Sequence, residues 1–204
     1  MTSNKELIRY LIQRGVLKTT RIIKAFENID RADFVSKDKL NEAYEDYPLS
    51  IGSEQTISQP TTVAFMLELL QPKEGDKILD VGSGSGYTTA LLSQMVGSSG
   101  EVFGVELVPE LVVFGVQNLK KYNITNAKIF QVNGKILGLP KKAPFDKILV
   151  SASANEFPQE LVDQLDLSGI LIIPIKNSVY SILKKEDGSL ESKEFPEFSF
   201  VPLK

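Results

Sequence analysis

The residues that suggest chemistry in this sequence are acids and hydroxyls spaced around one cluster of glycines. Residues 80–87 read Asp-Val-Gly-Ser-Gly-Ser-Gly-Tyr. Alternating glycines let the backbone turn sharply and let a ligand approach where a Cβ would stand in the way. A dinucleotide fingerprint spaces its glycines G-x-G-x-x-G and aims a helix N-terminus at a pyrophosphate. Here the order is acid-x-G-x-G-x-G. A carboxylate just ahead of the first glycine suits a ligand with an ammonium or sulfonium group, as in S-adenosylmethionine, better than a pyrophosphate. A second acid, Glu106, closes the apolar run 102–105, where it can accept from both hydroxyls of a ribose. The plainer alternative is a solvated Gly/Ser turn beside two unrelated acids. The second acid at a strand end favours the ligand site.

These residues need elements to hold them. Ile78, Leu79 and Val81 form a short apolar run suited to a strand buried on both faces, and residues 87–95 follow helical spacing. Further strands are expected at 102–106, 127–132, 145–151, 169–174, 179–184 and 198–201, with helices at 110–122 and 160–165. This rhythm predicts a doubly wound α/β fold with a mostly parallel, seven-stranded sheet. Ligands in such sheets bind beyond the carboxyl ends of the strands, at the switch in strand order. Asp80, Glu106, Asn133 and Ser151 all fall at such ends.

Ahead of the sheet, residues 3–14 and 20–28 read as helices and 31–35 as a further turn. Ser3 and Glu6 sit at capping-box positions. This segment is too short for a core of its own, so a helical cap over 1–48 is expected on a core of 49–204, the whole forming one domain. Residues 47–59 are polar and turn-forming, a loop or a site, before a helix at 61–70.

Composition removes several chemistries. The chain of 204 residues has no histidine and no cysteine. That excludes Ser-His-Asp catalysis, His-ligated metals, thiolate zinc sites and disulfides. No metal is expected. A net charge of −3 makes no electrostatic case for nucleic acid or an anionic membrane. Residues 1–9 lack the apolar centre of a signal peptide, and no run is long enough to span a bilayer. A cytoplasmic monomer is expected.

Several motifs together resemble the protein-L-isoaspartate O-methyltransferase family along the entire chain. Gln55-Thr56-Ile57-Ser58-Gln59-Pro60 is similar to the family's substrate loop, and residues 80–87 to its cofactor motif. Ala143-Pro144-Phe145-Asp146, Gln164-Leu165 with Ser168-Gly169, the closing Phe200-Val201-Pro202-Leu203, and the stretch from Leu17 to Phe34-Val35 also match. The resemblance implies a Rossmann-like class I methyltransferase fold. It also implies methyl transfer from S-adenosylmethionine, leaving S-adenosylhomocysteine, to the α-carboxylate of L-isoaspartyl residues in damaged proteins or peptides. The ester then closes to a succinimide, which starts repair.

By the same resemblance Ser58 is the catalytic residue, beside the acceptor and the sulfonium. Thr56, Ile57, Ser58, Asp80, Gly82, Ser83, Gly84, Ser85, Glu106, Leu107, Asn133 and Gly134 would contact the cofactor. Gln55, Thr56, Ile57 and Thr61 would contact the substrate. Two positions depart from the family: Thr61 stands where a histidine is usual, and Asn133 where an aspartate is usual.

The reaction survives without histidine. A carboxylate of reference pKa about 4 is already ionised at neutral pH, so no general base is needed. An anion meets a sulfonium cation and the charges cancel, so catalysis rests on alignment and exclusion of water. Two alternatives stay open: a related carboxyl methyltransferase with another peptide or small-molecule acceptor, and a non-catalytic S-adenosylmethionine-binding homologue.

Overall fold

A computed structural model of the chain describes residues 1–203; Lys204, the last residue of the expected domain, lies outside them. Six helices are described: α1 (Asn4–Gln13), α2 (Thr20–Asn28), α3 (Pro60–Leu70), α4 (Tyr87–Val96), α5 (Pro109–Lys121) and α6 (Gln159–Asp163). Nine strands accompany them: β1 (Leu49–Gly52), β2 (Gln55–Ile57), β3 (Lys77–Val81), β4 (Glu101–Glu106), β5 (Ala127–Gln131), β6 (Phe145–Val150), β7 (Leu165–Ile175), β8 (Ser178–Lys184) and β9 (Leu190–Pro196). Seven strands form one sheet in the order β5-β4-β3-β6-β7-β8-β9. The pairs from β5 to β7 are parallel, and β8 and β9 join antiparallel. The order reverses between β3 and β6, so the carboxyl ends of β3, β4 and β6 open a crevice there.

The sequence pattern explains these elements. Ile78, Leu79 and Val81 are buried, as expected for a central strand covered on both faces. In α1 the Ser3 hydroxyl accepts from the Glu6 N–H at 3.3 Å. The Glu6 carboxylate reaches back to the Thr2 N–H at 2.8 Å, one residue further than a capping box requires. The apolar faces of α1 and α2 are not left on the surface. Leu7, Leu11, Ile22 and Phe26 join one buried cluster with Leu67 of α3 and Leu91 of α4. Arg31 is fully buried in this layer, its guanidinium 5.6 Å from the centre of the Tyr87 ring and its Nε donating to Ala43 O at 2.9 Å. Burial lowers its pKa to about 10, against the opposing pull of Tyr87 and Asp46.

Two expectations change. Residues 198–201 are not a strand; the last strand is β9, Leu190–Pro196. The final strand is expected at 198–201 after a turn at Asp187-Gly188; that turn is present, and the strand follows it directly. Lys185 N–H donates to Ser189 O at 2.8 Å and Gly188 N–H to Lys185 O at 2.9 Å, and β9 follows at once. Its mostly exposed face needs no apolar pattern, and such an edge is invisible to a search for alternation. Phe198 instead stacks on Phe65, with ring centres 5.1 Å apart.

The second change is in residues 47–59, which are not all loop. β1 and β2 pair there as a small antiparallel hairpin, with Leu49 opposite Ile57 and Ser50 opposite Thr56. Ser53 and Glu54 at its tip have φ of 51° and 59°. That is the backbone of a hairpin turn usually announced by Asn-Gly, and Ser53-Glu54 carries no such mark.

Candidate active site

The crevice at the β3/β6 switch holds an open cavity of about 150 Å³. Its floor is the glycine loop. Gly82, Gly84 and Gly86 have φ of 77°, 51° and 82°, all in the left-handed region that favours glycine. The loop is tied down from several sides. The N–H groups of Gly82 and Ser83 both donate to Val105 O, at 3.0 and 3.1 Å. Asn118 Nδ2, from α5, donates to Ser85 O at 2.9 Å. α5 crosses so closely at Gly115 that a Cβ there would stand 2.6 Å from Ile129 Cδ1 and 3.1 Å from Gly84 O. A glycine inside a helix costs about 1 kcal/mol against alanine, and this close crossing accounts for it.

Glu106 is the sole charged side chain lining the cavity, among the described residues. Its Oε2 accepts from Gly84 N–H at 2.9 Å, and its Oε1 from the N–H groups of Leu107 and Val108 at 2.8 and 2.9 Å. Three backbone donors fix the carboxylate in place. They leave acceptor capacity, since two carboxylate oxygens offer about four lone-pair sites.

The structure gathers most of the expected site residues around this cavity. Gln55, Thr56, Ile57, Ser58, Gly82, Ser83, Gly84, Ser85, Glu106, Leu107 and Gly134 all line it. Three expected residues lie elsewhere. Asp80 is fully buried beneath the loop, and its Oδ2 accepts from the hydroxyls of Thr88 at 2.8 Å and Thr89 at 2.6 Å. Burial pushes its carboxyl up to about 6, against the opposing pull of those two hydrogen bonds. Asn133 is exposed, and its Oδ1 accepts from the Lys135 N–H at 3.1 Å, which shapes the turn after β5. Thr61 is turned to Asp46: its N–H donates to Oδ1 at 2.9 Å and its hydroxyl to Oδ2 at 2.7 Å. Asp46 thereby serves as a remote acidic cap for α3, whose own cap residue Gln59 makes no side-chain cap bond.

A second cavity of about 280 Å³ adjoins the first, lined by Pro48, Thr56, Ser58, Gln59, Thr62, Ser151, Ser199, Phe200 and Val201. The two share Thr56, Ser58, Ser151 and Val201, so these residues stand where the cavities meet.

Sequence reasoning missed several wall residues. Ile136, Leu137 and Gly138 close one side of the first cavity. They follow no period, and what holds them is distant: Gln164 accepts from Leu139 N–H at 2.7 Å and donates to Leu137 O at 2.8 Å. Val201, Pro202 and Leu203 form another wall, reached because Ser153 N–H donates to Val201 O and Leu203 N–H to Ser153 O, both at 2.8 Å. Gly115, a glycine at mid-helix, was the one available signal for the bracing by α5.

A sequence model of the family described as protein-L-isoaspartate(D-aspartate) O-methyltransferase (PCMT) matches residues 2–204. The chain belongs to this family. A protein-L-isoaspartate O-methyltransferase of Ignicoccus hospitalis is 39% identical over 204 residues, covering 98% of this chain and 96% of the relative. A protein-L-isoaspartate O-methyltransferase 2 of Archaeoglobus fulgidus is 40% identical over 203 residues, covering 98% of this chain and 92% of the relative. Among solved structures, a Plasmodium falciparum protein assigned to the PCMT family, in complex with S-adenosyl-L-homocysteine, superposes with a TM-score of 0.88. It is 31% identical and covers 100% of this chain and 99% of its own. The seven-stranded sheet with flanking helices is thus the PCMT fold, and the sequence resemblance and the architecture agree.

Proposed function

We propose that this chain transfers the methyl group of S-adenosylmethionine to the α-carboxylate of L-isoaspartyl residues in proteins or peptides. The observation that carries the reading is the junction of the two cavities at Ser58. One cavity is walled by the glycine loop and Glu106, and the other opens beside it. Family membership and the relatives' names supply the acceptor class.

The residues present fit S-adenosylmethionine. The cavity wall holds a carboxylate and no lysine or arginine among the described residues, so a pyrophosphate would find no cation there. A ribose diol would find Glu106. Ser83 lines the cavity, and its buried hydroxyl has no protein partner among the described residues, a group that a ligand could satisfy. Ser58, Thr56 and Ile57 would line the boundary between cofactor and substrate, with Gln55 further out on the same hairpin. Asp80, which lies under the loop, would act on the cofactor through Thr88 and through its field. Gly134 and Leu107 would border the nucleoside, with Asn133 shaping the turn that presents Gly134.

When bound, S-adenosylmethionine supplies a methyl carbon on a sulfonium; the acceptor oxygen bonds to that carbon as the carbon–sulfur bond breaks, its electron pair staying on sulfur. No proton moves, which suits a chain without histidine. The protein's part is positional. Ser58 donates to the acceptor carboxylate and aims it, while Ile57 and Val201 narrow the junction against water. Positioning of this kind can contribute roughly 7–11 kcal/mol to lowering the barrier.

The same reading takes the chain as one domain over 1–204, with 1–48 as a cap, supported by the larger of two core clusters, which joins cap residues to sheet residues. It takes the working form as a cytoplasmic monomer without nucleic-acid or membrane partners. No helix among the described residues is long and apolar enough to cross a membrane.

The test is methyl transfer from labelled S-adenosylmethionine to a peptide containing L-isoaspartate, with its aspartate twin as control. Base-labile label on the isoaspartyl peptide alone is the expected result. Label on neither peptide, with adenosylhomocysteine still bound, would move the acceptor elsewhere.

A further inference from the structure

Four residues wall both cavities, and three of them carry hydroxyls: Thr56, Ser58 and Ser151. Ser151 differs from the other two in how it is held. Thr56 and Ser58 lie on or just after the β1–β2 hairpin, whereas Ser151 directly follows β6, a central strand. Its N–H donates to Val81 O at 2.9 Å, which pins it to the end of β3 at the switch in strand order. Its Cβ lies 4.0 Å from where a Cβ on Gly82 would stand, so its side chain faces the first glycine of the loop.

The neighbouring serine shows what a spent hydroxyl looks like here. Ser153 Oγ donates to Lys176 O at 2.9 Å, while its N–H and carbonyl hold Val201 and Leu203. Ser151 Oγ makes no hydrogen bond to protein among the described residues, and it is only half-buried. A free hydroxyl on the most rigid part of the cavity wall is well suited to meet a ligand group.

We propose that Ser151 is a second hydrogen-bond donor to the acceptor carboxylate, approaching from the sheet side while Ser58 approaches from the hairpin side. The proposal rests on the carboxyl-methyl-transfer reading above. A carboxylate has two oxygens. One donor leaves it free to rotate about that single contact, whereas two donors on opposite walls set the plane of the carboxylate and present one lone pair to the methyl carbon. Fixing that angle is the kind of alignment on which the reaction depends. Ser151 also discriminates between acceptors. An acceptor without a second oxygen, such as a side-chain amide or amine, leaves this hydroxyl unmatched.

The experiment compares wild type, Ser151→Ala, Ser151→Thr and Ser58→Ala/Ser151→Ala on the isoaspartyl peptide, with calorimetric binding of S-adenosylhomocysteine to each. Ser151→Ala is expected to lower kcat/KM roughly tenfold, the loss of one hydrogen bond to a charged group. Adenosylhomocysteine affinity stays within about twofold. Ser151→Thr, which keeps the hydroxyl, restores most of the activity, a rescue that loss of packing alone would not show. The double variant loses less than the product of the single losses, since both donors hold one carboxylate and losing either already frees it to rotate.

A Ser151→Ala enzyme within about twofold of wild type would overturn the proposal. So would an equal loss in Ser151→Thr, or a tenfold loss of adenosylhomocysteine affinity in Ser151→Ala, which would place the hydroxyl on the cofactor. A wild-type enzyme that labels no isoaspartyl peptide overturns the underlying reading instead, and the two failures are told apart by that first control.

Discussion

The two walls of the candidate active site are built on opposite terms. On the cofactor side the two carboxylates and the loop's backbone are held by hydrogen bonds within the protein, while the Ser83 hydroxyl makes none among the described residues. Glu106 accepts three backbone N–H groups, Asp80 accepts two threonine hydroxyls, and the loop N–H groups of Gly82 and Ser83 share Val105 O. On the acceptor side the hydroxyls of Thr56, Ser58 and Ser151 make no hydrogen bond to protein among the described residues. A preorganised wall costs little to bind a ligand of constant shape, because the protein has little left to order. A wall of uncommitted hydroxyls suits an acceptor that arrives on many different peptides and shares one carboxylate.

Substitutions on the two walls should therefore fail differently, and the largest effect belongs to the engaged side. Glu106→Gln keeps the shape but sets an amide NH₂ against a backbone N–H and removes the charge. Adenosylhomocysteine affinity is expected to fall about a hundredfold in calorimetry, the scale of one to two lost hydrogen bonds to a charged group, and the thermal midpoint falls with it. Unchanged affinity would mean the loop holds its form without Glu106, and the contrast between the walls would collapse.

Asp80 is next, and its effect is on stability against pH. Burial raises its carboxyl from an ordinary 3.8 to about 6. The folded protein therefore holds this proton more tightly than the unfolded chain. The contribution of protonated Asp80 to stability is present below about pH 4 and is lost as pH rises through about 6. The size is roughly 3 kcal/mol for this group. Asp80→Asn keeps an oxygen for Thr88 and Thr89 and cannot ionise, so its urea midpoint should gain on wild type between pH 4 and pH 7. A difference that stays flat with pH would show that the buried carboxylate carries no such cost.

Ser58→Ala should lower kcat about tenfold while adenosylhomocysteine affinity stays within about twofold, since the hydroxyl supports alignment and no protein bond depends on it. Equal turnover would remove Ser58 from the mechanism. The smallest effect is expected of Thr61→Val. Its hydroxyl serves Asp46 and the start of α3, so stability should drop by about 1 kcal/mol in denaturant titration, with KM for the peptide unchanged. A rise in KM of tenfold would put Thr61 back at the acceptor.

Legibility in the sequence followed the same division. The buried strands, the glycine loop, Glu106 at the end of β4 and the helices of the cap were readable because local patterns encode them: apolar runs, glycine spacing and helical periodicity. The β1–β2 hairpin was not, because Ser53 and Glu54 take positive φ without the residues that usually mark it. The true final strand was not, because an exposed edge needs no apolar alternation. Thr61 stands as a substrate residue by the family resemblance alone, and nothing local says that Asp46 lies within hydrogen-bond reach of it.

The sequence by itself determined the α/β rhythm, the cofactor loop and the chemistry that needs no base, since each rests on residue types and on spacings within one or two elements. Tertiary structure alone decided which polar groups are spent and which are free. It turned Asp80 down toward Thr88 and Thr89 and tied Ser153 to Lys176. It also brought the C-terminal Val201 and Leu203 across to Ser153, and it left Ser58 and Ser151 bare where the two cavities meet. A hydrogen bond between residues far apart in the chain depends on how whole layers pack, and no window of the sequence contains both partners.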